Sequence, residues 1–145
     1  MPLPRKILLV GGSGFVGTAI AERLTRDGVS LIVPTRRLAN ASHLRVLPGT
    51  EVLEADVFDP AALARLMNGV DAVVSLVGVL HSSPGTPWGP AFARAHVELP
   101  TKLVAAARAA GVGRIVHVSA LGADPAGPSE YQRSKAAGEA AIRAG

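Results

Sequence analysis

Short apolar runs alternate along the chain with stretches whose apolar positions recur every three to four residues. Lys6–Val10 (KILLV) is an unbroken apolar run ending in glycine, the pattern of a strand buried on both faces. Gly14–Asp27 carries Phe15, Val16, Ala19, Ile20 and Leu24 at helical spacing, with Arg23, Arg26 and Asp27 on the other side and Gly28 to close it. The alternation continues with a strand at Ser30–Val33, a short helix at Asn40–Leu47 and a strand at Glu51–Glu54. Asp59-Pro60 opens a helix with an N-cap carboxylate and a first-turn proline; it runs to about Met67 and is followed by a strand at Val70–Leu76. A Gly-, Pro- and Ser-rich loop covers His81–Pro90, and a long helix covers Ala91–Ala110. Then come a strand at Arg114–Ser119, a loop at Gly122–Pro128 and a helix from Ser129 onward. Pro100, inside the long helix, predicts a lost hydrogen bond and a bend.

Five strands, each followed by a helix, predict an α/β protein with a parallel sheet covered on both faces. Right-handed crossovers favour the strand order 3-2-1-4-5 of a Rossmann-type, doubly wound sheet. The fifth strand is then left with an open edge, which invites pairing with another chain. At 145 residues, 48% hydrophobic and 18% charged, the chain suits one folded domain and excludes intrinsic disorder.

Composition narrows the chemistry. With no cysteine, disulfides, thiolate catalysis and cysteine-held metals are excluded. Aromatic residues are only 3%, too few for an aromatic platform that stacks single-stranded nucleic acid. The net charge is +4, but no run of four Lys or Arg occurs, so nucleic acid is not an expected partner. Arg5 and Lys6 before the apolar stretch 7–21 imitate a signal peptide, yet glycines at 11, 12, 14 and 17 interrupt it. No apolar run reaches the ~18 residues of a membrane span, and the expected compartment is the cytoplasm.

The first strand runs directly into Gly11-Gly12-Ser13-Gly14-Phe15-Val16-Gly17, a G-x-x-G-x-x-G pattern opening an amphipathic helix. Gly11 permits the turn out of the strand, Gly14 admits a pyrophosphate to the backbone, and Gly17 lets the helix pack close to the sheet. The helix N-terminus supplies free N–H groups and a positive dipole. This context predicts dinucleotide binding, with Phe15, Val16, Val57 and Val77 among the lining residues. The second strand ends in Pro34-Thr35-Arg36-Arg37, where an NAD-selective site places an acid for the ribose 2′-OH. Arg36 and Arg37 suit a 2′-phosphate instead, so NADP is expected over NAD, which stays possible; two solvated loop arginines are the plainer alternative. Asp56 lies where an adenine edge would sit, or it caps the next turn.

Tyr131-Gln132-Arg133-Ser134-Lys135 sets a tyrosine and a lysine four apart on one helix face. A lysine ammonium there favours the phenolate and makes the phenol a usable acid/base; the same lysine can hold a nicotinamide ribose. Ser119, at the end of the fifth strand, is placed to polarise a carbonyl beside it.

On these residues the chain resembles the short-chain dehydrogenase/reductase superfamily, in its atypical or extended branch. The resemblance is carried by VGGSGFVG (10–17), TRR (35–37), ADVFD (55–59), VVSLVGV (73–79), GVGRIVHVSALGAD (111–124) and YQRSKAAGE (131–139). It is nearest to the group of the complex I nucleotide-binding accessory subunit and its bacterial epimerase/dehydratase-type relatives. The resemblance implies pyrophosphate contacts at Gly11, Gly14 and Gly17, an NADP phosphate at Arg36, and catalytic roles for Ser119, Tyr131 and Lys135. It also implies that residues 1–145 are the cofactor-binding, N-terminal part of a longer chain whose remaining strands hold the substrate. Two departures stand out. Ser75-Leu76-Val77-Gly78 replaces the family's Asn-Ala-Gly, and Ala95-His96-Val97-Glu98 stands where a supporting Asn is usual. His96 either substitutes for that Asn or is a packing residue.

Two functions stay open: an NADP(H)-dependent oxidoreductase or epimerase acting on a small carbonyl or sugar-like substrate, and a non-catalytic NADPH-binding protein that serves as a structural subunit, assembly factor or redox sensor, associated with a larger complex. His81 and Trp88 are either a gate over the nicotinamide or part of an ordinary surface loop.

Overall fold

The computed structural model describes residues 4–145. Five strands, β1 (Lys6–Val10), β2 (Ser30–Thr35), β3 (Thr50–Glu54), β4 (Ala72–Ser75) and β5 (Ile115–His117), form one parallel sheet in the order β3-β2-β1-β4-β5. This is the expected doubly wound order, with all strands presenting their carboxyl ends on one side.

The continuous apolar runs divide cleanly between the two faces. Leu8, Val10, Ile32 and Val73 meet Leu63, Leu66 and Met67 of α2 (Pro60–Leu66) and its C-cap, with Leu99, Leu103 and Ala107 of a longer helix, α4 (Leu99–Ala110). Ile7, Leu9, Leu31, Val33 and Val74 meet Ala21 of α1 (Phe15–Arg26) and Ala41 and Leu44 of a 3-10 segment, Leu38–Val46. β1 is tied at its start: Asp71 Oδ2 accepts from the Arg5 and Lys6 N–H groups at 2.8 and 2.9 Å. Those two bonds hold the Asp71 carboxyl below its ordinary pKa.

β5 is the exposed edge. Ile115 and His117 face α4 and a last helix, α5 (Glu130–Arg143), while Val116 and Val118 on the other face are 51% and 45% exposed. α5 starts with a full capping box, Ser129 Oγ accepting from Gln132 N–H while Gln132 Oε1 accepts from Ser129 N–H.

The long helix differs from its expected form. It is three joined pieces: α3 (Pro90–Phe92), a π-helical turn at Ala93–Glu98, and α4. Pro100 has no N–H for the carbonyl of His96 four residues earlier, and the Leu99 N–H reaches back five residues to the Arg94 carbonyl. The released His96 carbonyl points at α5, where a Cβ on Gly138 would run into it. Only a glycine lets the two helices approach this closely. Gly138→Ala therefore lowers stability by about 1–3 kcal/mol through overpacking, despite alanine's better helix propensity. Urea unfolding measures this, and an alanine variant as stable as the parent would contradict the close approach.

Candidate functional site

A cleft of about 330 Å³ opens at the carboxyl ends of β1, β2 and β4. Val10, Gly11 and Ser13 form one wall; Thr35 and Arg36 another; Ala55, Asp56, Val57 and Phe58 a third; Val77, Val79, Ala91, Arg94 and Ala95 close it. A wider groove of about 740 Å³ lies behind, between α2 and α4, but it is lined largely by alanine and carries no cluster of titratable groups. The chemistry gathers at the strand ends.

The glycine loop has the geometry its pattern predicts. Gly11 has φ +82°, and a Cβ there would press on the Leu76–Val77 backbone at 3.1–3.2 Å. A Cβ on Gly17 would sit 2.5–2.6 Å from Gly11 and Gly12 backbone atoms, so this glycine packs α1 against the loop itself rather than against the sheet. Gly14 is the N-cap of α1, which no side chain caps and whose first turn holds no acid. An uncapped helix start behind an open glycine is a fitting seat for a pyrophosphate. Phe15 and Val16, at that helix start, are exposed (Phe15 at 94%) and do not line the cleft.

Arg36 lines the cleft, but Arg37 does not. The Arg37 backbone is used locally, its carbonyl accepting from Thr35 Oγ1 at 3.0 Å. Asp56 caps the turn that follows it, Oδ1 accepting from Phe58 N–H at 2.9 Å, and the residue also lines the cleft. The N-cap of α2 is Asp59, which accepts from Ala61 and Ala62 N–H.

Lys135 is 4% exposed, and its Nζ donates to the Val118 carbonyl at 3.0 Å, next to Ser119. Burial lowers its pKa, against the pull of the Glu139 carboxylate. A Cβ on Gly78 would lie 3.6 Å from His96 Nε2 and 3.8 Å from Lys135 Nζ, so both groups converge on the backbone after β4. Ser119 Oγ is buried without a hydrogen-bond partner. Tyr131 packs its ring edge-on against Phe92 and His96, at centroid distances of 5.9 and 5.4 Å. Among the described residues its hydroxyl bonds neither Lys135 nor Ser119.

His96 is more central than its position in the sequence implied. It is 1% exposed, and its Nε2 accepts from the Val79 N–H at 3.0 Å. A backbone N–H only donates, so Nε2 carries the lone pair and the neutral ring carries its proton on Nδ1. Nδ1 then donates to Ser134 Oγ at 2.9 Å, and Ser134 Oγ donates to the Tyr131 carbonyl at 2.9 Å. This chain fastens the loop after β4 to the first turn of α5. Burial, with Lys135 nearby, lowers the His96 pKa to about 4. A second histidine, His117, is half-buried against Ser75 Oγ at 3.3 Å; burial, then Lys135, lowers its pKa as well.

Sequence reasoning also passed over Asn40, Phe58 and Arg94, which line the same cleft. Arg94 sits on the π-turn, on the same helix face as Ala91 and Ala95. The loop after β4 is pinned rather than loose. Glu130 accepts from Gly89 N–H at 2.7 Å, and Arg133 donates to the Pro87 and Gly127 carbonyls. His81 is exposed, and neither it nor Trp88 lines the cleft.

A doubly wound sheet with a glycine loop and an uncapped helix at its switch point defines a dinucleotide-binding domain. The chain belongs to the NAD(P)H-binding family, whose model matches residues 11–144. It is 29% identical over 136 residues to the mitochondrial NADH-ubiquinone oxidoreductase 40 kDa subunit of Neurospora crassa, covering 92% of this chain and 35% of that protein. It is 34% identical over 138 residues to the ceramide reductase of Caulobacter vibrioides, covering 95% of this chain and 42% of the relative. Among solved structures, a dTDP-glucose 4,6-dehydratase from Streptomyces venezuelae with NAD bound superposes with a TM-score of 0.78 at 28% identity, over 95% of this chain and 50% of that one. The chain thus spans less than half the length of the two curated relatives. No helix among the described residues is long and apolar enough to cross a membrane.

The His96 chain makes stability pH-dependent. Above pH 6.5 both folded and unfolded chains hold the ring neutral. As pH falls, the unfolded chain binds the proton near 6.5 and the folded chain only near about 4. Stability is therefore lost across that window, by about 3 kcal/mol. His96→Gln keeps an acceptor for Val79 but does not titrate, so its urea-unfolding profile from pH 7 to pH 4 should be flatter than the parent's. Parallel profiles would contradict the assignment.

Proposed function

We propose that the chain is the cofactor-binding part of an NADP(H)-dependent oxidoreductase or epimerase acting on a small carbonyl or sugar-like substrate. When bound, the nicotinamide cofactor supplies or accepts the hydride. Gly11, Gly14 and the first turn of α1 at Phe15, Val16 and Gly17 take the pyrophosphate. Arg36 takes the 2′-phosphate; Asp56 and Val57 take the adenosine side, and Val77 lies beneath the nicotinamide half. Tyr131 is the acid/base, Lys135 its activator and ribose clamp, and Ser119 the carbonyl donor.

The observation that carries this reading is the convergence of the buried Lys135 ammonium and the neutral His96 on the backbone at Gly78, beside the cleft. His96 and Ser134 act as positioning residues: they fix the entry of α5, and so the place of Tyr131, relative to the loop after β4. The cytoplasm is the proposed compartment, because the signal-like stretch at 7–21 is folded as β1, the glycine loop and the start of α1.

One observation favours a second reading. Among the described residues the Tyr131 hydroxyl is not bonded to Lys135, whose Nζ donates to the Val118 carbonyl instead. An NADPH-binding subunit of a larger complex would retain this packing without turnover, and the 40 kDa relative is by name a subunit of an NADH-ubiquinone oxidoreductase.

Two measurements test these readings. Tyr131→Phe in the full-length protein should cut turnover by about 100-fold or more under the enzyme reading, whereas unchanged function would favour the binding subunit. Fluorescence titration should show tighter binding of NADPH than NADH, and Arg36→Asp should shift that ratio by about tenfold or more. Equal affinities in the parent chain would contradict the NADP assignment.

A further inference from the structure

We infer that Arg94, on the π-turn, is a second cofactor-specificity residue that holds the 2′-phosphate of NADP from the side opposite Arg36; this rests on the NADP reading above.

Arg36 and Arg94 both line the cleft and also an adjoining cavity of about 490 Å³, which they share with Glu54, Ala55, Asp56 and Phe58. The two acids there are already engaged with backbone. Glu54 Oε2 accepts from Leu38 N–H at 3.3 Å, and Asp56 Oδ1 accepts from Phe58 N–H at 2.9 Å. Neither acid forms a salt bridge with an arginine among the described residues. The cavity therefore presents two guanidinium groups without ion-pair partners.

Arg94 is also held in position. Its Cζ lies 3.8 Å over the centroid of the Phe58 ring. A guanidinium seated by its face on a ring keeps its in-plane N–H donors free, and those donors match a phosphate. The platform is fixed in turn. Asp56 holds the Phe58 N–H, and Lys102 Nζ donates to the Phe58 carbonyl at 2.7 Å while paired with Glu98 at 2.9 Å. A partly buried phenylalanine in a loop, tied at both its backbone groups, has a purpose if its ring carries Arg94.

Ala91, Arg94 and Ala95 share one helix face by their i, i+3, i+4 spacing, and all three line the cleft. The two arginines thus come from different elements, the end of β2 and the long helix, and enclose the adenosine end of the cleft.

The test is titration of NADPH, NADH, 2′,5′-ADP and 5′-ADP into the whole chain and its variants. Arg94→Ala should weaken NADPH and 2′,5′-ADP by about tenfold while changing NADH and 5′-ADP by less than about twofold. Phe58→Leu, which keeps the apolar volume but removes the ring face, should move the same two ligands in the same direction. Both side chains lie near the surface, and unchanged melting of the unliganded variants confirms folding. A parent chain that prefers NADPH, with Arg94→Ala keeping that preference, would overturn the role of Arg94 alone. Loss of all four ligands together would overturn it too, by showing that Arg94 stacks on adenine. A parent chain without any preference would remove the NADP reading and this inference with it.

Discussion

His96 can satisfy its surroundings only as a neutral imidazole with the proton on Nδ1. The Val79 N–H takes up the Nε2 lone pair, Ser134 Oγ takes the Nδ1 proton, and Ser134 passes its own proton to the Tyr131 carbonyl. Protonating the ring would set two donors against each other inside a buried site. Three segments distant in sequence are joined by this one side chain: the loop after β4, the π-turn and the N-terminus of α5. The position of Tyr131 and of buried Lys135 relative to the glycine loop follows from that junction.

The junction exists because of a local defect. Pro100 leaves the His96 carbonyl unclaimed, the helix widens into a π-turn, and the carbonyl is accommodated against Gly138. Arg94, on the same turn, lies over Phe58 at the cleft. π-turns are uncommon and concentrate at functional sites.

The parallel sheet and its order were legible because strands covered on both faces read as plain apolar runs: KILLV for β1, and VV between alanine and serine for β4. The glycine loop was legible because its pattern is local, with each glycine answering to a backbone position. Gly17 was read as packing the helix against the sheet, but it packs the helix against the glycine loop instead. The register of the long helix was not legible. Ala91–Ala110 reads as one amphipathic helix, whereas a π-turn at Ala93–Glu98 interrupts it. Pro100 was the available signal; its consequence depends on Gly138, which lies on another element. Arg37 illustrates the converse. Its charge matched the expected phosphate, but its backbone is committed to Thr35 and it stands outside the cleft.

The most direct test is the protonation state of His96 itself. Two-dimensional ¹⁵N–¹H NMR of the imidazole, followed from pH 7 to pH 4, should show protonated Nδ1 and lone-pair Nε2 at neutral pH, with titration only near about 4. A ring protonated on Nε2, or one that titrates near 6.5 as an ordinary histidine does, would contradict the junction on which this account of the site depends.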